Sequence, residues 1–125
     1  MLDKIMQQSI IPYFLHHMEA FGSYSKTDAC FKVHSGGTVY FRTETDPDSI
    51  VGITNVRHIW CDEAGKYRLY FWENIQARAD FLGCQIDLTT SPYAMNWIYK
   101  DIVKPAQQGK REDVLLIQAA SWENP

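Results

Sequence analysis

Two adjacent carboxylates at the end of an apolar run are the residues whose types and spacing best suit chemistry. Residues 58–61 (HIWC) stop abruptly at Asp62 and Glu63, which are followed by Ala64. The pattern predicts a buried strand that carries both carboxylates to its C-terminal tip, the edge where ligands bind in open α/β sheets. Carboxylates there suit the binding of a divalent cation and the positioning of an attacking water. The alternative is a strand that ends in an acidic surface turn.

A second apolar strand, farther along the chain, ends in hydroxyl groups. Residues 85–88 (QIDL) are followed by Thr89, Thr90, Ser91 and Pro92. Proline lacks the N–H donor that a central ladder needs, so the strand is expected to stop before it. The three hydroxyl side chains are therefore expected at the tip of this strand.

The segment between the two strands predicts a helix. Residues 69–82 place apolar side chains at helical spacing and contain no proline. Strand, helix and strand form a βαβ unit, whose strands run parallel and whose crossover is right-handed. The sequence therefore predicts that Asp62 and Glu63 lie beside Thr89–Ser91.

These motifs, in this order along the chain, resemble the ATPase region of phage large terminase subunits, the motors that package DNA into procapsids. The resemblance covers residues 30–125. The matching segments are a Gly-Gly hairpin at 32–41, the stretch before Walker B at 46–52, Walker B at 59–64, the coupling motif at 89–92 with the helix residues 96–99, and the closing turn at 121–125.

The resemblance implies roles for the residues at the two strand tips. Asp62 would hold Mg²⁺ through bound water, and Glu63 would be catalytic, orienting the water that attacks the γ-phosphate of ATP. Thr89, Thr90 and Ser91 would sense the γ-phosphate and couple its state to motion. In the parent motor the cofactors are Mg²⁺ and ATP, and the partners are other terminase subunits, the portal protein and double-stranded DNA. The location is the cytoplasm of the bacterial host.

The chain departs from the family because it has no P-loop. The motif G-x-x-x-x-G-K-[ST] cradles the phosphates. The only Gly-Lys pairs here, at 65–66 and 109–110, are followed by Tyr67 and Arg111. In the family, Walker A lies before the matching region and a nuclease domain follows it. Residues 1–125 are therefore predicted to be a single partial ATPase-like domain that neither binds Mg²⁺ or ATP tightly nor turns ATP over by itself.

The predicted fold class is α/β: an incomplete P-loop NTPase-like (ASCE-type), mostly parallel sheet with flanking helices and an antiparallel hairpin. The hairpin covers residues 30–43, with Gly36 and Gly37 in its turn. The first 22 residues predict an amphipathic helix that packs on a sheet, with a kink or restart at Pro12 and with Gly22 as its cap.

Two further elements are predicted toward the C-terminus. Residues 93–103 read as a helix ended by Pro105, and Val114–Ile117 read as a strand. If the P-loop strand of the family is missing, this sheet has unpaired edges, which favour self-association.

Composition bounds the function classes. A chain of 125 residues with 46% apolar and 14% aromatic residues indicates a globular domain. The net charge of −3 does not indicate a nucleic-acid surface, so in the parent the DNA contacts would lie in other domains. No run approaches the roughly 18 apolar residues of a membrane span.

Cys30, Cys61 and Cys84 are expected to be buried free thiols. Four basic residues near the C-terminal end are predicted to lie on a solvated loop, namely Lys100, Lys104, Lys110 and Arg111. The alternative is a weak contact with DNA or phosphate.

Two functions of other classes remain open from the sequence. The chain could be a non-catalytic remnant that acts only through protein–protein association. Asp62 and Glu63 could instead serve a two-metal nuclease, but such a site needs several converging carboxylates, and Asp87 is the only other acid on a predicted strand.

Overall fold

The structure is a computed structural model that describes residues 6–91 and 95–119. Its strands are β1 (Gly22–Ser25), β2 (Cys30–Val33), β3 (Thr38–Tyr40), β4 (His58–Cys61) and β5 (Gln85–Leu88). Its α-helices are α1 (Ile11–His17), α2 (Leu69–Leu82) and α3 (Lys104–Gln107). The mixed α/β class is confirmed. The described strands form two separate sheets, one antiparallel (β1-β2-β3) and one parallel (β4-β5), where the sequence predicted a mostly parallel sheet.

The predicted hairpin forms strands β2 and β3 of the antiparallel sheet. Gly36 and Gly37 have φ angles of 102° and 99°, which glycine adopts without steric penalty. The N–H of Val33 donates to the carbonyl of Gly37 at 3.1 Å and closes the turn. Phe31 and Phe41 are buried on one side of this sheet, where the ring of Phe14 from α1 lies 5.0 and 5.2 Å from theirs.

The prediction of one helix over the first 22 residues, of which residues 1–5 lie outside the described part of the chain, was wrong at its C-terminal end. A π-helical turn (Met6–Ile10) leads into α1, which restarts with Pro12 in its first turn, as expected. The helix stops at His17, and Gly22 opens β1 opposite Val33 instead of capping the helix. A Cβ atom at Gly22 would lie 2.3 Å from the carbonyl oxygen of Lys32. Glycine is therefore required here by the close approach of two strands.

The predicted βαβ unit is confirmed. Strands β4 and β5 pair in parallel, from His58 opposite Gln85 to Cys61 opposite Leu88, and α2 connects them. Helix α2 covers the predicted residues 69–82 and ends at Gly83, which adopts a left-handed φ of 64° and donates its N–H to the carbonyl of Ala79.

The parallel sheet is covered on one face only, which corrects the prediction of a buried strand. On the covered face the strands share one hydrophobic core with α2 and with the C-terminal helical segment (residues 97–107). The buried members of this core are Ile50, Cys61, Ala64, Phe71, Trp72, Ile75, Ile98 and Ile102. The opposite face carries the exposed side chains of His58, Trp60, Gln85 and Asp87. These strands therefore alternate in burial, as in an antiparallel sheet with one solvated face.

Two arginines hold the connection between the sheets. The guanidinium of Arg42 donates to the carbonyls of Phe41 at 2.7 Å and of Ser49 at 3.3 Å. Arg78 on α2 donates from Nη2 to the carbonyl of Ile53. The chain that enters β4 is thus attached to both halves of the fold, and Arg78 has a structural contact.

The C-terminal helix continues past Pro105, where the sequence predicted its end. A π-helical segment (Tyr99–Val103) leads into α3, and Pro105 occupies the first turn of α3. Proline cannot donate to the carbonyl of Asp101, four residues back. Arg111 donates to that carbonyl at 3.1 Å from Nη1. The Tyr93–Ala94 part of the predicted helix lies outside the described residues.

The prediction of a strand at Val114–Ile117 was wrong. The segment packs Val114 against the core but leaves Leu115 and Ile117 86% and 80% exposed, and it forms no ladder with a described strand. A strand is stable only with neighbours to pair its backbone. The expected turn at 121–125 lies outside the described residues.

Cys30, Cys61 and Cys84 are free thiols. The first two are buried, as predicted, and Cys84 is partly exposed. Among the described residues, no helix has both the length and the apolar character to cross a membrane.

Candidate functional site

The tips of β4 and β5 lie side by side because the parallel ladder continues past the ends of both strands. The N–H of Thr89 donates to the carbonyl of Cys61 at 3.0 Å, and the N–H of Ala64 donates to the carbonyl of Thr89 at 3.0 Å. This pairing brings the predicted carboxylate and hydroxyl together. The hydroxyl of Thr89 donates to Oδ1 of Asp62 at 2.9 Å.

A third side chain joins this contact from the exposed face of the sheet. The indole Nε1 of Trp60 donates to Oγ1 of Thr89 at 3.1 Å. Sequence reasoning missed this residue because it treated the strand as buried on both faces. The signal was present, since residues 60 and 62 are two apart on a strand and so share one face.

Glu63 adopts a backbone conformation that non-glycine residues rarely adopt. Its φ and ψ are 51° and 38°, in the left-handed region, and the short 3₁₀ turn Ala64–Lys66 begins immediately after it. Oε2 of Glu63 lies 3.2 Å from Nζ of Lys66. The sharp turn therefore aims the Glu63 carboxylate away from the path of β4 and places it in an ion pair.

The turn that carries Glu63 is tied to the segments after β5. The N–H of Gly65 donates to Oγ1 of Thr90 at 3.0 Å. The carbonyl of Gly65 accepts from Nδ2 of Asn96 at 2.7 Å, and Nε1 of Trp97 donates to the carbonyl of Tyr67 at 2.9 Å. The turn and the start of the C-terminal helical segment are therefore one hydrogen-bonded unit.

The structure thus brings together most of the residues predicted for the site. Asp62, Thr89 and Thr90 contact one another or the same turn, and Glu63 lies within that turn. Ser91 is different, because its carbonyl accepts from the Thr90 hydroxyl at 3.0 Å while its own hydroxyl makes no hydrogen bond to the described residues.

The floor of the site is apolar. Burial raises the pKa of the Cys61 thiol to about 12. Burial, and after it the nearby charges of Cys61, Asp62 and Glu44, raise the pKa of the Tyr67 phenol. Both groups therefore stay neutral at physiological pH, and the charges of this edge are those of Asp62, Glu63 and Lys66.

Asp62 fits a magnesium site of the kind that keeps its water ligands. Its Oδ1 accepts from Thr89, while Oδ2 accepts no hydrogen bond from the described residues. Mg²⁺ usually retains several waters and is held by one or two carboxylates together with phosphate oxygens. The described residues contain no group of three or more His, Cys, Asp or Glu side chains that could enclose an ion. Asp62 would therefore act with waters and phosphate, and not as part of a cage.

Asp87 has partners of its own on the exposed face. Its Oδ2 lies 3.1 Å from Nε2 of His58, and its Oδ1 accepts from Nε2 of Gln85 at 2.9 Å. It makes no hydrogen bond to Asp62 or Glu63. The described contacts therefore give no observation that favours the nuclease alternative.

Comparisons with protein-family models, with curated proteins and with solved structures found no match to this chain. The function of the site therefore rests on its geometry and chemistry.

Replacing Glu63 by asparagine is expected to stabilise the fold by about 0.5–1 kcal/mol. The left-handed conformation costs most L-residues roughly 1–2 kcal/mol, and asparagine adopts it more readily because its short side chain bonds locally. Urea denaturation of the two proteins measures the difference. The matched variant Glu63→Gln removes the charge but keeps the backbone penalty, so it should lie close to wild type. A Glu63→Asn protein no more stable than the Glu63→Gln protein would contradict the presence of strain at this residue.

Proposed function

We propose that this chain is the Walker B and coupling portion of a phage large terminase ATPase, whose ATP hydrolysis drives DNA translocation. One observation carries the proposal. A parallel βαβ unit ends with a carboxylate, Asp62, on one strand tip and a hydroxyl, Thr89, on the next, and the two are hydrogen-bonded at 2.9 Å. In nucleotide-hydrolysing sheets, the metal-binding carboxylate and the γ-phosphate sensor lie at this edge.

The roles of the two carboxylates follow from their surroundings. Asp62 is exposed and offers Oδ2 to the water shell of Mg²⁺, which would neutralise the phosphate charge when bound. Glu63 is the catalytic residue, and its work is to accept a proton from the attacking water and hold that water in line. Its ion pair with Lys66 is partly solvated and worth about 0–1 kcal/mol, so this pair alone restrains the carboxylate only weakly.

The coupling role falls to Thr89, Thr90 and Ser91. The Thr90 hydroxyl holds Gly65, and Asn96 holds the same residue from the start of the helical segment. A shift of the Glu63 turn therefore changes contacts on both sides of residues 91–95. Two alternative arrangements of such a unit would act as a switch.

Other parts of the parent motor would supply what this chain does not contain. The phosphate cradle that gives ATP its affinity would come from another part of the parent. The partners would be other terminase subunits, the portal protein and double-stranded DNA in the host cytoplasm.

The isolated chain is expected to show no Mg²⁺-dependent ATP hydrolysis above that of a Glu63→Ala control. Positioning of the phosphates provides a large part of catalysis in phosphoryl transfer, and this chain lacks the loop that provides it. Phosphate release measured over hours at millimolar ATP and Mg²⁺ checks this. Turnover that disappears in Glu63→Ala would mean that the chain holds phosphates by itself.

Metal binding tests the proposed site directly. Mn²⁺ is a paramagnetic substitute for Mg²⁺, and weak binding suffices to broaden nearby resonances in a ¹⁵N–¹H spectrum. We expect broadening of the amides of Asp62, Glu63 and Thr89, reversed by excess Mg²⁺ and absent from an Asp62→Asn variant. Broadening that Asp62→Asn leaves unchanged would overturn the proposal.

One observation favours the alternative of an association module without catalysis. Leu115 and Ile117 are largely exposed on a segment with no strand partner among the described residues, and Trp60 is 60% exposed. Apolar side chains exposed in this way favour contacts between chains. Light scattering that reports self-association, in a protein whose resonances Mn²⁺ leaves unaffected, would support this function over the motor.

A further inference from the structure

We propose that Trp60 is a positioning residue, which fixes the direction of the Thr89 hydroxyl and thereby the orientation of the Asp62 carboxylate toward a divalent cation. The inference rests on the proposed function, because it assigns Trp60 to the metal site centred on Asp62.

The direction of the hydrogen bonds follows from the donor inventory. An indole nitrogen only donates, so Oγ1 of Thr89 accepts the bond from Trp60 at 3.1 Å. The single proton of the hydroxyl is then free to point elsewhere. Two acceptors are within reach, Oδ1 of Asp62 at 2.9 Å and the carbonyl of Cys61 at 3.5 Å. The shorter, charge-assisted bond to Asp62 is the stronger of the two.

The three side chains form a relay in which each bond supports the next. The donation from Trp60 polarises the Thr89 hydroxyl and makes it a better donor to Asp62. With Oδ1 of Asp62 held in this way, Oδ2 has no donor among the described residues, and Asp62 is exposed. That oxygen is the one available to a hydrated cation.

On the exposed face of the sheet, the hydrogen bonds among Trp60, Thr89 and Asp62 share no side chain with the contacts of Asp87. His58 and Gln85 bond to Asp87, while Trp60 bonds to Thr89 and Thr89 to Asp62. Loss of the indole N–H leaves the Thr89 hydroxyl free to rotate toward the Cys61 carbonyl. Asp62 then loses a fixed partner and samples more rotamers.

Trp60→Phe is therefore expected to weaken Mn²⁺ binding about threefold to tenfold. Partners of metal ligands typically change affinity by about 10- to 100-fold. The smaller effect is expected here because Trp60, Asp62 and Thr89 are all exposed, and water can replace part of the lost hydrogen bond. Mn²⁺ relaxation titrations of the full chain measure the affinity, with Mg²⁺ competition as a check.

A double-mutant cycle tests whether Trp60 and Thr89 affect Mn²⁺ affinity through the same hydrogen bond. A purely structural role for Trp60 would not produce such coupling. Thr89→Val should weaken binding at least as much as Trp60→Phe, and the double variant should be no worse than Thr89→Val alone. Thr89→Ser keeps the hydroxyl and should restore most of the affinity. His58→Asn is the matched control, because it alters the same face but contacts Asp87, so its affinity should equal that of wild type.

The outcomes separate this inference from the proposed function. If Asp62→Asn binds Mn²⁺ as wild type does, the proposed site itself fails. If Asp62→Asn loses binding while Trp60→Phe keeps it, only the positioning role of Trp60 is overturned. That role is also overturned if the effects of Trp60→Phe and Thr89→Val on Mn²⁺ affinity add up in the double variant. The indole N–H resonance of Trp60 gives a metal-free check: it should shift in Thr89→Val, while those of Trp72 and Trp97 stay in place.

Discussion

Replacing Gly22 with alanine is expected to lower the free energy of unfolding by about 3 kcal/mol. The added Cβ would lie 2.3 Å from the carbonyl oxygen of Lys32 and 2.6 Å from the ring of Phe31. The first of these is a backbone atom in the neighbouring strand, so a rotamer change cannot relieve the clash. Overpacking of this kind costs about 1–3 kcal/mol, and more when the backbone must move. The upper end applies here because β1 would have to separate from β2.

Gly52→Ala is the matched control. Gly52 is exposed, and an added Cβ would meet nothing within 4 Å. Its φ lies outside the left-handed range, so alanine should be neutral or stabilise by about 0.4–1 kcal/mol through the unfolded state. Urea denaturation followed by circular dichroism distinguishes the two variants. Equal stability of the Gly22→Ala and Gly52→Ala proteins would show that β1 does not approach β2 as closely as described.

The βαβ unit could be predicted because its determinants are local. Helix α2 follows from apolar spacing over residues 69–82, and β5 follows from a short apolar run that precedes Pro92. The parallel pairing then follows because a helical crossover of this length joins parallel strands. The proximity of Asp62 to Thr89 needed no further information.

The elements that depend on tertiary contacts could not be predicted. The sequence around Gly22 is compatible with a helix cap, and only the approach of Lys32 shows that it belongs to a strand. Val114–Ile117 has strand propensity, but propensity forms a strand only where a neighbour pairs with it. The continuation past Pro105 reflects the start of α3 there, where proline is tolerated in the first turn, and Arg111 donates to the carbonyl of Asp101.

The candidate site, like the fold, has features that the sequence predicted and features that it did not. Residue types and spacing predicted which groups would meet at the sheet edge. The left-handed conformation of Glu63, its pairing with Lys66 and the direction of the Trp60–Thr89–Asp62 bonds depend on turn dihedrals and on the exposed face of the sheet. Neither is encoded in a periodic pattern.

Alkaline pH is expected to remove a large part of the stability through Cys61. Cys61 is 2% exposed in the hydrophobic core, and burial raises the pKa of its thiol from 9.0 to about 12. A thiol whose folded pKa exceeds its unfolded pKa stabilises the fold fully below about pH 9, and this contribution is lost as the pH rises toward 12. The loss is about 1.4 kcal/mol per pH unit, which gives on the order of 2 kcal/mol by about pH 10.5.

Comparison with Cys61→Ala isolates this contribution from the other groups that titrate at high pH. At about pH 7–8 wild type should be more stable by about 1 kcal/mol, because alanine leaves a small cavity. The alanine protein has no thiol to ionise, so the difference should vanish or reverse by about pH 10.5. Cys84→Ala removes a partly exposed thiol and should follow wild type across the range. A wild-type advantage over Cys61→Ala that stays constant across this alkaline range would show that the thiol is not held neutral by burial.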